Sequence, residues 1–269
     1  MRFTRSRSAR LLGSAAIVVV IAAAVAGCQT TQSTDTTGAV TLAPSDRPEA
    51  DWRHDVDSYG VQYRANPSDP EVAVRYAQAL RATGQRAQAV AILEQAAMRN
   101  PQSKVLLGEY GRALAEAGQY EQALEVLDRA HTPENPDWHI LSAQGAVLDQ
   151  MGRHEEAQRH YLTALKIVPD EPTVLSNLGL SYALSKDLKN AEVTLRRAAA
   201  HPPVDQRVRQ NLALVVGLQG RFDEAEAIAR ADLPPDQAAA NVAYLKEMLA
   251  QKGTVPIAGR PVRSGAGPS

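Results

Sequence analysis

Residues 84–101 read GQRAQAVAILEQAAMRNP, residues 118–135 read GQYEQALEVLDRAHTPEN and residues 152–169 read GRHEEAQRHYLTALKIVP. Laid over one another they share a leading Gly, an Ala five residues on (Ala89, Ala123, Ala157), a large residue next (Leu93, Leu127, Tyr161) and a second Ala (Ala96, Ala130, Ala164). Each copy follows the last by 34 residues. In a fourth copy Lys186 takes the Gly slot before Ala191, Leu195 and Ala198. In a fifth, Gly220 precedes Ala225 and Asp232 breaks the second Ala position. Pro67, Pro101, Pro169 and Pro203 close their units, while Asn135 fills the remaining slot and Pro136 lies one position later.

A strict period of this length marks an array of small units, none of which can bury its apolar face alone. The residue types say what each unit is. Gly at the start of the shared stretch suits a tight turn between two helices, because a positive φ is easiest without a Cβ. The small Ala allows close helix crossing, the large residue fills the gap beside it, and Pro stops the second helix. The first helix supplies Tyr76, Tyr110, Leu178 and Leu212 at one position, with Gly111, Gly145 and Gly179 beside them for close packing. A continuous long helix is excluded, since Gly and Pro in every unit would break it. The pattern resembles the tetratricopeptide repeat. That resemblance implies an all-α, right-handed superhelical solenoid of antiparallel helix pairs.

Composition agrees with thin, closely stacked helices. Apolar residues make up 44% of the chain, yet there are only two Phe and two Trp, so Ala and Leu must fill the core. Lys plus Arg and Asp plus Glu number 29 and 30, without the basic excess of a nucleic-acid binder. No nucleic acid is therefore expected as a partner.

The N-terminal segment reads as an address. Arg2, Arg5, Arg7 and Arg10 precede an apolar run from Leu11 to Ala26, which is short for a bilayer span of ~20 residues. It ends in Val25-Ala26-Gly27-Cys28, and Cys28 is the only cysteine. A lone thiol in an uncleaved anchor is one reading. The other is a lipid attachment point, and the position of Cys28 where the apolar run stops favours it. The segment resembles a bacterial lipoprotein signal, and Gln29 in place of Asp implies sorting to the outer membrane. Removing residues 1–27 takes away four Arg and no acid, leaving 25 basic against 30 acidic residues.

These readings partition the chain. Residues 1–27 are the signal and 28–48 a polar, flexible tether. Residues 49–69 form an N-terminal packing helix, and five units occupy 70–103, 104–137, 138–171, 172–205 and 206–235. A capping helix over 236–252 carries Val242, Leu245, Met248 and Leu249 at helical spacing, and a Gly- and Pro-rich tail covers 253–269.

Catalytic motifs were sought and none is present: no nucleotide-binding Gly-rich loop, Gly-x-Ser-x-Gly elbow or His-Glu-x-x-His pair. His154 and His160 are six residues apart and are expected on a solvated helix face. Glu155-Glu156 and Asp223-Glu224 begin second helices, where negative charge suits the helix dipole. No enzyme activity, cofactor, metal or small-molecule substrate is expected.

Binding remains. In tetratricopeptide arrays the first helices line the concave groove. Its positions here read Val74, Gln78 and Arg81, then Gly108, Arg112 and Ala115, and later Ser176, Leu180 and Ala183, then Gln210, Leu214 and Gly217. The groove is expected to be polar and basic at one end (Gln78, Arg81, Arg112) and more apolar at the other (Ser176, Leu180, Gln210, Leu214). Two readings of Leu180 and Leu214 stand side by side: reception of a partner segment, or packing between neighbouring repeats.

The order of signal, tether, five repeats and terminal helix resembles the tetratricopeptide lipoproteins of the Flp/Tad (tight adherence) pilus assembly system. The stretches Asn211 to Phe222, Ala229 to Leu233 and Ala240 to Leu245 add to it. The resemblance implies a pilotin-like role toward the pilus secretin and other Tad machinery proteins, periplasmic placement and attachment to the membrane through the lipid. A general envelope adaptor for peptidoglycan hydrolases or outer-membrane assembly factors is the alternative.

Overall fold

The computed structural model describes residues 47–200 and 202–254, so Cys28, the signal and most of the tether and tail lie outside the described residues. Among the described residues there are twelve α-helices and no strand. An opening helix α1 (Glu49–Ala65) is followed by pairs: α2 (Pro70–Ala82) with α3 (Arg86–Arg99), α4 (Lys104–Glu116) with α5 (Tyr120–Asp128), α6 (Trp138–Gln150) with α7 (His154–Ile167), and α8 (Pro172–Leu184) with α9 (Leu188–Ala199). Then come α10 (Gln206–Leu218), α11 (Phe222–Ala229) and α12 (Pro235–Thr254). The described chain falls into two compact units, residues 47–215 and 216–254.

Local chemistry sets the helix boundaries. Asp69 accepts from the backbone N–H of Glu71 and Val72 with Pro70 at the first helical position, and Ser103, Asp137 and Glu171 cap α4, α6 and α8 in the same manner. The turns inside the pairs are left-handed, with φ of 78° at Gly84, 78° at Gly118 and 75° at Gly152. Lys186, which interrupts the Gly series, takes the same conformation at φ 68°, so the turn is retained where the residue that suits it is not. Where Asn135 replaces the closing Pro, α5 stops early at Asp128. The chain then turns through mutual backbone hydrogen bonds between Thr132 and Asn135.

In the first unit the core is a seam of Ala and Leu. Ala73, Leu80, Ala89, Leu93, Leu106, Leu114, Ala123, Leu127, Ala157, Val174, Leu175, Ala191 and Leu195 are essentially without solvent contact. In the second, third and fourth pairs the first helix carries a Gly against the large residue of the second. A Cβ on Gly111 would lie 2.5 Å from Leu127 Cγ, one on Gly145 2.7 Å from Tyr161, and one on Gly179 2.6 Å from Leu195. These are the large residues of the shared pattern, sixteen positions downstream. At the near end, Tyr63 of α1 is buried with its ring 5.8 Å from that of Tyr76.

The second unit has a close Gly contact of its own, in a different register. A Cβ on Gly217 would meet Leu245 of α12 at 2.5 Å and Ala225 of α11 at 3.5 Å, and Leu245 and Ala238 are buried. The terminal helix therefore uses its apolar spacing to cover α11.

Gly111→Ala should destabilise the protein by roughly 1–3 kcal/mol, the range for forcing an extra methyl group into a packed core. Adding Leu127→Ala should cost less than the two single effects combined, because the smaller side chain vacates the space the new methyl needs. Urea unfolding followed by circular dichroism measures the cycle, and strictly additive effects would refute the Gly–Leu contact.

Candidate partner-binding surface

The three groove positions of the first helices have different fates. The first runs through Val74, Gly108, Ser142, Ser176 and Gln210. Ser142 and Ser176 are buried, and Asn177 and Asn211 of the following repeats donate to them, at 3.4 Å and 3.0 Å. A Cβ on Gly108 would meet Ile140 at 2.7 Å. Gln210 is half-buried. Val74 reaches a shallow apolar cleft of about 160 Å³ between the N-terminal ends of α2 and α4, where Val105 is 74% exposed.

The third position runs through Arg81, Ala115, Asp149 and Ala183, and it forms joints between repeats. Only 7% of the Arg81 side chain meets solvent. It donates from Nε to Glu116 Oε2 at 2.8 Å and from Nη1 to Glu109 Oε2 at 2.9 Å, both on the next first helix. Arg112 donates to the other oxygen of Glu109 at 2.8 Å. Burial alone would lower the Arg81 pKa, but the two carboxylates outweigh it and hold the guanidinium protonated. The expected basic end of the groove is therefore altered: Arg81 and Arg112 are compensated by Glu109 and Glu116, 28 and 35 residues from Arg81 on the first helix of the next repeat.

Asp149 is the counterpart two repeats on. It is buried and accepts from Ser181 Oγ at 2.8 Å and Tyr161 Oη at 3.1 Å, with His154 Nδ1 at 2.8 Å. Three helices, α6, α7 and α8, meet on this one carboxylate. Burial raises its pKa, with the hydrogen bonds from His154 and Ser181 opposing in part. Burial, then the Asp149 charge, pushes the Tyr161 phenol well up. The solvated-face reading of the histidines is corrected here. His154 reaches back to Asp149, and His160 is half-buried with its pKa lowered chiefly by burial. The trio of Ser181, His154 and Asp149 is not a nucleophilic triad: the serine donates directly to the carboxylate and the imidazole does not take its proton.

The middle position remains accessible along most of the array. Gln78 is exposed, Arg112, Leu180 and Leu214 are half-buried, and only Ala146 is covered. A partner lying along the first helices would meet this row. Sequence reading missed Glu109, Glu116, Asp149 and Gln144, the last of which fills the Tyr/Leu position of the third repeat. Gln144 is 1% exposed and donates to Asp128 at 2.6 Å.

With this geometry in hand the class is that of a helical-repeat binding scaffold. The chain belongs to the tetratricopeptide-repeat family: models described as tetratricopeptide repeat match residues 61–104, 80–145 and 206–231, and a TPR repeat model matches 145–185. Among curated proteins none matches the sequence. Among solved structures it is similar to PilW, a widely conserved type IV pilus biogenesis factor, with TM-score 0.64 and 17% identity over 72% of this chain and 91% of that one. It also resembles the APC/C hetero-tetramer Cut9-Hcn1 (TM-score 0.61, 14% identity, 76% of this chain and 40% of that). Human IFIT1 with m7Gppp-AAAA gives TM-score 0.57 at 15% identity, over 68% and 45% of the two chains. At these identities the likeness concerns the fold.

Replacing Asp149 by Ala should cost about 3 kcal/mol, since buried donors on Ser181 and Tyr161 lose their acceptor. The pH dependence has a definite sign. A carboxyl whose folded pKa is raised binds its proton more readily in the native state, so its contribution is fullest at low pH and is lost as pH rises through the folded value. The stability of the native protein minus that of Asp149→Asn should thus fall as pH climbs above about 4. Urea titrations at a series of pH values measure this, and a constant or growing difference would contradict it.

Proposed function

We propose that this protein is a non-enzymatic, lipid-anchored scaffold of the bacterial outer membrane, with Cys28 as the acylated residue and the repeats in the periplasm. In this reading it acts as a pilotin-like factor that locates or assembles the secretin of a Flp/Tad pilus, in the manner of the tetratricopeptide lipoprotein TadD. The observation that carries it is the covalent order of the chain: a lipoprotein-type signal ending at Cys28, directly upstream of a binding array. The accessible row on the first helices supports it further. Leu180 and Leu214 occupy equivalent positions one repeat apart and both keep part of their surface in water. Such a pair suits a helical or extended segment of a partner protein. Two acyl chains, each contributing ~0.8 kcal/mol per buried CH₂, would hold the scaffold at the membrane long enough to accompany a secretin there.

The test is recovery of the secretin on the full lipidated chain from detergent-solubilised envelopes. Leu180→Glu with Leu214→Glu should weaken recovery by about tenfold, as loss of interface anchors does, while leaving the helical melting curve in place. Cys28→Ser should leave secretin multimers depleted from the outer membrane. Unchanged recovery by the doubly charged variant would remove the first-helix face from the proposal. Recovery of cell-wall hydrolases with no secretin would replace the pilotin role with a general envelope adaptor.

A further inference from the structure

A second surface lies away from the first-helix row. Between α3 and α5, the second helices of the first two repeats, an open cleft of about 310 Å³ is lined by Glu94, Met98, Tyr110, Glu125, Val126 and Arg129 among others. Met98 is 70% exposed and gives the cleft an apolar wall. Val126 forms part of the buried floor.

The electrostatics of the cleft are one-sided. On other helices, surface glutamates, exposed or half-buried, are tied to arginines three or four residues away, as in Glu71–Arg75, Arg153–Glu156 and Glu226–Arg230. Glu94 has only Ala, Val and Met at those distances and no ion-pair partner among the described residues. Glu125 has Arg129 four residues on, at the C-cap of α5, but no ion pair joins the two. The C-terminal ends of α3 and α5 both border the cleft, and each adds the partial negative charge of its outward carbonyls. Burial, and then the nearby Glu94 charge, pushes the Tyr110 phenol up, so it stays neutral. Two unpaired carboxylates and two helix C-termini thus face a single cation.

We infer that this cleft receives an arginine or lysine side chain from a basic segment of a partner protein. Its aliphatic stem lies on Met98 and Val126 and its charge between Glu94 and Glu125, with Tyr110 Oη as an acceptor. Arg129 is then the internal competitor for Glu125, which sets the sign of its substitution. The inference rests on the scaffold reading only in that the ligand is a protein segment, and its test involves neither secretin nor the first-helix row.

The chain has four methionines, so methyl labelling of the full chain in detergent gives a Met98 signal, with those of Met151 and Met248 as fold controls. The probes are acetyl-Leu-Arg-Leu-amide and its citrulline counterpart, identical but uncharged. The arginine peptide should move the Met98 signal saturably and leave the controls in place. The citrulline peptide, or Glu94→Gln or Glu125→Gln with the arginine peptide, should bind about fivefold more weakly, as expected for loss of one partly exposed ion pair. Arg129→Ala should bind the arginine peptide more tightly. An unmoved Met98 signal, equal binding of the two peptides, or weaker binding by Arg129→Ala would each overturn the inference. Failure here would leave secretin recovery untouched, and failure of secretin recovery would leave this titration untouched.

Discussion

The fold depends on one steric condition: a missing side chain on the first helix opposite a large one on the second. Gly111 against Leu127, Gly145 against Tyr161 and Gly179 against Leu195 are the same contact three times, and at each an added Cβ would overlap the partner. This lets two short helices approach closely enough to bury Ala and Leu in a chain with few aromatic residues. The left-handed turn that joins the helices follows from it, since the second helix must return at once against the first. Lys186 shows the order of command. It accepts a backbone conformation that costs a side-chain-bearing residue about 1 kcal/mol, because the packing of Gly179 on Leu195 fixes where the chain must go.

Stacking one pair on the next has a different basis. Apolar contact alone would let neighbouring repeats slide, since each presents much the same surface. The joints are instead marked by buried polar groups, whose kind changes along the array. Arg81 holds Glu109 and Glu116 at the first, Asp149 gathers His154, Tyr161 and Ser181 at the third, and the Asn–Ser pairs join the third repeat to the fourth and the fourth to the fifth. A buried ion pair adds little net stability over well-packed apolar residues, but leaving one partner uncompensated costs several kcal/mol. A slipped or swapped repeat would incur that penalty at the Arg81 joint and leave polar groups unpaired at the others named, so the polar joints act against misregistration more than they add to stability.

The difference in legibility between fold and surface comes from this division. The Gly–Leu and Ala–Ala rules repeat at a fixed offset, so laying the sequence on itself exposes them, turns included. The joints are mostly irregular: one register position is Arg81, Ala115, Asp149 and Ala183 in successive first helices, and only the Asn–Ser pair recurs, at the last two joints. Their partners lie 28, 32 and 35 residues away, which no inspection of a single helix detects. Hence His154 reads as solvated when its partner is Asp149 across the turn, and Arg81 reads as a groove cation when two carboxylates of the next repeat already hold it. Glu109 and Glu116, both within a few residues of Arg112 in sequence and on the following first helix, are the signal that could have shown the groove end to be neutral.

Structures sharing this fold include a pilus biogenesis factor, a subunit complex of the APC/C and a protein bound to capped RNA, so the helical stack itself does not select a class of partner. Selection must come from groups the stack leaves unspent. Of the three first-helix registers, two are largely used in holding repeats together, so most of the accessible face is the row of Gln78, Arg112, Leu180 and Leu214. Arg112 in that row already donates to Glu109, so the row as a whole carries little free charge. A polyanion would find no unpaired cation there, whereas an uncharged amphipathic segment would find two leucines one repeat apart. A partner segment lying on that face would therefore be selected by apolar fit more than by charge.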